Sequence, residues 1–263
     1  DRSTTRRPEH NALEQLLIYD RQPRKAFVDH FYPLNVTLED LALGRDVEVG
    51  DAATGTYLSR VRRGADAVAL VMERPCRVEG HVLLMRKTLE LRAGSSALRA
   101  TMEFEELPVN QTLRYAIELN LAGMAGHAED RYFLSMLDER LGMLDSRIDH
   151  RETFGLAVVD EWLDVANRIT WSVPGGVWCF PIATVSQSEA GLEGVHQSAS
   201  VIPHWLVRGD QSRRWSVELE WTIAPVRQEQ PTPLDETPAL ADPASARETE
   251  RPRATVVKEP QVK

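Results

Sequence analysis

Residues 215–223 alternate without a break, with Trp215, Val217, Leu219, Trp221 and Ile223 on one parity and Ser216, Glu218, Glu220 and Thr222 on the other. Successive side chains of an extended strand point to opposite sides, so a period of two becomes a single apolar surface only in a strand buried on one face. Such a surface needs a second layer to cover it. Residues 81–91 repeat the pattern, with Leu83, Met85, Lys87, Leu89 and Leu91 opposed by Leu84, Arg86, Thr88 and Glu90. The turn-rich 92–97 then leads into 98–105, which reads as a β-hairpin. Segments 113–121, 155–160, 165–171, 177–181 and 195–202 are rich in β-branched and aromatic residues and suit further strands. Gly and Pro cut the chain into short pieces with no fixed repeat. The expected fold is all-β, a large antiparallel β-sandwich with one or two short helices. One helix is predicted at 38–43, with Thr37 as N-cap, Asp40 as the capping-box acid and Gly44 ending the turn. Residues 131–141 suit a helix by their Leu and Met content and a strand by Tyr132-Phe133-Leu134, and both stay open.

The body of this sandwich is expected at 13–225, because all six tryptophans fall between Trp162 and Trp221. Residues 1–12 read as a disordered or linker N-terminus, and 226–263 as a disordered tail with six prolines from Pro231 to Pro260 and no aromatic residue. With 263 residues and 42% hydrophobic content, the core does not depend on staples. A formal charge of −9 argues against nucleic acid and anionic lipid as partners, and a neutral ligand fits better. Cys76 and Cys179 form no framework or metal spacing, so both are expected reduced and packed in a cytoplasmic protein. The Arg-rich first residues resemble neither a signal peptide nor a membrane span, and a chain opening on Asp1 is compatible both with a piece cut from a longer polypeptide and with a stand-alone protein.

Residues 19–33 place Asp29 and His30 inside an aromatic run. Strand alternation puts Phe27, Asp29 and Phe31 on one face and Val28, His30 and Tyr32 on the other. A carboxylate and an imidazole among aromatics suit a sugar-facing cleft, in which rings stack on pyranose and polar groups take hydroxyls. They equally suit a buried Asp–Arg pair beside a satisfied core histidine. Trp178 opens a second aromatic and hydrogen-bonding run that includes Gln187 and Glu189, and Gln197, His204 and Trp205 form a third. If the last two runs pair as neighbouring strands, Gln187, Glu189, Gln197 and His204 line one surface. Glu118 and Asn120 share a strand face, so Glu118 with His30 or His204 offers an acid and a base for ring opening or glycosidic cleavage. No phosphate loop, dinucleotide fingerprint or nucleophile elbow occurs, no cofactor is expected, and the seven histidines lack ligand spacing. Asp145 and Asp149 offer only the nonspecific oxygens of a loop calcium site.

Taken in order, Tyr19-Asp20-Arg21, Asp29-His30-Phe31, Asp160-Glu161-Trp162-Leu163, 178–181, 185–189 and Pro203-His204-Trp205 resemble the C-terminal β-sandwich region of glycoside hydrolase family 57 enzymes of the α-amylase and 4-α-glucanotransferase type. The resemblance implies a mutarotase-like supersandwich, with both catalytic carboxylates in an N-terminal barrel that has no counterpart here. It therefore implies no catalytic residue in this chain. The expected function is a noncatalytic α-glucan-associated domain that packs on such a barrel, with a maltooligosaccharide as ligand. The alternatives are a stand-alone mutarotase-like enzyme using a His and a carboxylate, and a purely structural partner domain. Convergence of His30, Glu118, Gln187 and His204 would favour a sugar site, and dispersal the structural reading.

Overall fold

The computed structural model describes residues 18, 20, 22–122, 124–188 and 191–226. Residues 1–12 and the tail from 227 onward lie outside the described residues. Among the described residues the strands are β1 (Val28–Tyr32), β2 (Leu58–Arg63), β3 (Ala67–Val78), β4 (His81–Arg92), β5 (Ala97–Glu105), β6 (Thr112–Ala122), β7 (Arg131–Ser135), β8 (Arg140–Met143), β9 (Ile148–Asp160), β10 (Val165–Ser188), β11 (Gly191–Arg208) and β12 (Trp215–Ala224), with one short helix, α1 (Leu38–Ala42). All pairings are antiparallel, in the order β1-β6-β11-β10-β12-β5-β4-β3-β2, with β9 beside β10 and β7 joining β9 to β8.

Strand β10 makes a sandwich of this sheet by changing partners. Residues Ala166 to Trp171 pair with β12, whereas Gly176 to Ser188 pair with β11, and the register against β9 shifts between Thr170 and Gly175. The segments predicted as separate strands at 165–171 and 177–181 are thus one strand serving both layers. Across the gap Phe31 meets Phe104 with ring centroids 5.7 Å apart, and Tyr115 and Trp205 meet Trp215 at 5.9 and 5.8 Å. The aromatic and aliphatic parities of β1, β6 and β11 therefore bury against those of β5 and β12, each large side chain contributing roughly 1.5–3 kcal/mol. Val217 and Leu219 are in that core, as their alternation requires.

The remaining departures have local causes. Residues 131–141 are strands β7 and the start of β8 around a turn in which Asp138 takes a φ of 59°. Strand β3 escaped prediction because Pro75 interrupts it, and β2 because Leu58–Arg63 is a basic, wholly exposed edge. The capping box forms as predicted, the Thr37 side chain accepting from the Asp40 N–H while Asp40 accepts from that of Thr37, and Gly44 ends the turn at a φ of 63°.

Candidate functional site

The register brings the polar residues of three distant segments onto one face. His30 lies opposite Ala116, Ala116 opposite His204, and His204 opposite Gly176, which makes a row across β1, β6, β11 and β10. In the neighbouring row Val28 lies opposite Glu118. Period two then puts His30, Tyr32, Glu118, Trp178 and His204 on the outer face, away from the main core. That face is not bare. Leu41 and Ala42 of α1 pack on Tyr32, Ala116, Trp178, Phe180 and Ile202, forming a second, smaller apolar cluster.

Between this face and the segments 22–24 and 44–54 lies a cavity of about 350 Å3. His30 spans it at the floor, with Nδ1 2.5 Å from Glu48 Oε1 and Nε2 3.0 Å from Glu118 Oε2, the latter an ion-pair contact without hydrogen-bond alignment. Glu48 Oε2 also accepts the Phe31 N–H at 3.1 Å. Glu118 Oε1 accepts from Arg24 Nη1 at 3.1 Å and from the Asn120 amide at 2.6 Å, and Arg24 Nε reaches Asp20 at 2.8 Å. Burial opposes a charged His30, but the close contacts with the carboxylates of Glu118 and Glu48 outweigh it and raise its pKa to about 9. Burial likewise opposes an ionised Glu118, and His30, then Arg24 and Asn120, bring it down to about 2. Both groups are charged at neutral pH. The Tyr32 ring stacks on His30 at 5.2 Å, and burial followed by the charges of Glu48, Asp46 and Glu118 pushes its phenol well up.

Of the residues singled out in the sequence, His30 and Glu118 meet in this cavity. Trp178 and His204 meet beside it, stacked at 3.7 Å, with Arg114 Nη1 3.2 Å from His204 Nδ1 and its guanidinium 5.4 Å from the Trp178 ring. Burial, then Arg114, lowers the His204 pKa to about 3, so this imidazole is neutral while His30 is charged.

Asp29 is a correction. It points into the main core, where Oδ1 accepts from the Tyr115 hydroxyl at 2.6 Å and Oδ2 from the Tyr57 hydroxyl at 2.5 Å and pairs with Lys87. The expected buried pair therefore forms with a lysine rather than an arginine, and the carboxylate is enclosed in the core, away from the cavity. Trp205 is the second correction, since it faces the same core and its indole N–H donates to Val173 O at 2.9 Å. Gln187 and Gln197 are exposed on β10 and β11, which do pair, but His204 lies opposite Gly176 and Gln187 opposite Leu192. At about 3.3 Å per residue, eleven residues separate these rows by roughly 36 Å, so the predicted surface of Gln187, Gln197 and His204 does not form. Gln197 Nε2 instead donates to Thr184 Oγ1 at 3.2 Å. Glu189 lies outside the described residues.

Glu48, Arg24 and Lys87 were missed. Glu48 carried a faint signal in the alternation of Asp46-Val47-Glu48-Val49, and Lys87 in standing on the apolar parity of its strand. Among the described residues no group of three or more His, Cys, Asp or Glu could hold a metal ion, and Asp145 and Asp149 are engaged with His127 at 2.8 Å and Arg151 at 3.0 Å. Among them, too, no helix is long and apolar enough to cross a membrane. Cys76 and Cys179 are buried free thiols, both pushed up by burial.

Fold and site together define a mostly β, antiparallel sandwich domain with a charged pocket on the outer face of one sheet. The model of the family "Alpha-amylase/4-alpha-glucanotransferase, C-terminal" matches residues 3–219, so the chain belongs to that family of carbohydrate-associated domains, of the glycoside hydrolase family 57 type. It is 29% identical over 188 residues to an alpha-amylase of Pyrococcus abyssi, a match covering 72% of this chain and 25% of that protein. Against a 4-alpha-glucanotransferase of Thermococcus kodakarensis it is 27% identical over 201 residues, covering 75% and 26%. The crystal structure of the 4-alpha-glucanotransferase from Thermococcus litoralis shares the fold with a TM-score of 0.59 at 22% identity, covering 80% of this chain and 29% of that one. The chain thus matches only about a quarter of the length of these relatives.

Proposed function

We propose that this chain is a noncatalytic α-glucan-associated domain that packs on a family 57 catalytic barrel and supports its substrate cleft. The observation that carries this reading is the family match over residues 3–219 in a chain that matches only about a quarter of relatives named for α-amylase and glucanotransferase activity. The chemistry for which those relatives are named then belongs to the part of them that this chain does not match. The state of the pocket supports the same conclusion. A general acid or base works best with a pKa near the operating pH, and His30 at about 9 and Glu118 at about 2 are far from it on opposite sides. One observation favours a mutarotase-like enzyme instead, the meeting of a histidine and a carboxylate in one pocket. Their 3.0 Å contact leaves no room for a sugar ring between them, which ranks that reading second. We also place the domain in the cytoplasm, where its two buried thiols stay reduced.

Affinity electrophoresis tests the association with glucan. The chain run through a native gel containing amylopectin should be retarded relative to a gel without polysaccharide. Unchanged mobility at all amylopectin concentrations would leave a structural partner domain as the better account.

A further inference from the structure

The pocket over His30 is built in a way that points to a particular ligand, an argument that rests on the glucan reading and adds its location. We infer that this pocket takes a single terminal sugar residue of an α-glucan chain, held as a neutral polyol between the Arg24–Glu118 pair and the Glu48 carboxylate. Its volume of about 350 Å3 lies at the small end of the range for ligand sites and suits one ring rather than an extended oligosaccharide.

The charges exclude other classes of ligand. Among the described residues, Glu48 and Glu118 place two carboxylates beside Arg24 and His30 in the pocket wall, with Asp20 paired to Arg24, so this acidic lining does not favour phosphate or a phosphorylated sugar. An apolar ligand would strip water from Arg24 and Glu118 with nothing to replace it. A polyol suits both constraints, because each hydroxyl gives one hydrogen bond and accepts others. Among the described residues, Glu48 has one protein donor on each oxygen, and Glu118 Oε2 has His30. A carboxylate has about four acceptor positions, so three remain across these two groups. Toward the described residues Arg24 uses Nε and one hydrogen of Nη1, and Nη2 donates to none of them. Because the ionic pairs already hold these groups in place, a sugar need not order them. Apolar surface for the ring's C–H face comes from Val28, Val47 and Phe180, which line the same space.

The test uses the full 263-residue chain and maltotriose. Titration followed by ligand-observed NMR should give saturable binding, and D-glucose should compete while glucose 6-phosphate should not. Val47→Trp places a bulky ring in the pocket from an exposed wall position, so it should weaken binding at least 10-fold with the unfolding temperature unchanged. Arg24→Gln should weaken it several-fold. Maltotriose binding that survives both substitutions would overturn the pocket assignment and leave the glucan reading standing with its site elsewhere. Tighter binding of D-glucosamine than of D-glucose would overturn it in favour of a cation site. Amylopectin retardation without any maltotriose binding would overturn the terminal-residue assignment alone, whereas loss of both would overturn the glucan reading with it.

Discussion

At the scale of single residues, the molecule depends on two buried ionic groups placed on opposite faces of β1. Asp29 and Lys87 sit in the main core, with Lys87 Nζ also donating to Phe27 O at 2.5 Å. Lys87→Met should destabilise the fold by about 3–5 kcal/mol in urea unfolding, because it leaves a buried carboxylate unpaired. Asp29→Asn added to it should recover part of that loss. A cost under about 1 kcal/mol for the single change would show that Asp29 is not buried as described. On the other face His30 sets the pH response. Its pKa rises from 6.5 to about 9 on folding, so its contribution is complete below pH 6.5 and is lost as pH climbs through 9. Glu118 falls from 4.5 to about 2, so its contribution is complete above pH 4.5 and is lost as pH drops through 2. The two shifts express one attraction seen from either end and are not summed. Stability from this pair should be flat between pH 4.5 and 6.5 and then fall by about 3 kcal/mol toward pH 9. Urea unfolding at several pH values checks this, and His30→Gln should remove the alkaline fall. The alternation of 27–32 made the two faces legible in the sequence. The partners were not, because Lys87 and Glu48 are remote along the chain and only the register and the returning loop bring them in.

At the scale of elements, local signals were read correctly where chemistry is local. The capping box of α1 depends on two residues three positions apart, Thr37 and Asp40, and Thr37→Ala should cost about 1 kcal/mol. Thermal unfolding measures it directly, and no change would mean that packing of Leu41 alone holds the helix. Strand β10 shows the opposite case. Its change of partner near 172–175 depends on what lies beside it rather than on its own residues, so the sequence reads as two strands. The glycines there carry a tertiary requirement. A Cβ at Gly176 would run into the His204 imidazole, and Gly176→Ala should destabilise by about 1–3 kcal/mol. Loss of the Trp178 fluorescence environment in that variant would place the strain at the stacked pair.

At the scale of the whole molecule, an antiparallel sandwich was legible because period-two patterning and turn residues specify strands and a dry face. What those patterns do not carry is pairing, so Gln187, Gln197 and His204 looked like neighbours although β10 and β11 hold them in distant rows. Residues 228–263 bring almost no apolar area by composition, and their deletion should lower the unfolding temperature by less than about 5 °C. A larger drop in calorimetry would mean that this segment packs on something. The central claim is that the domain associates with glucan without transforming it. Incubation of the purified chain with maltoheptaose, followed by chromatography of the products, tests that most directly. The account predicts maltoheptaose alone after prolonged incubation. Shorter or longer glucans that disappear with Glu118→Gln would contradict it and move the chemistry into this chain.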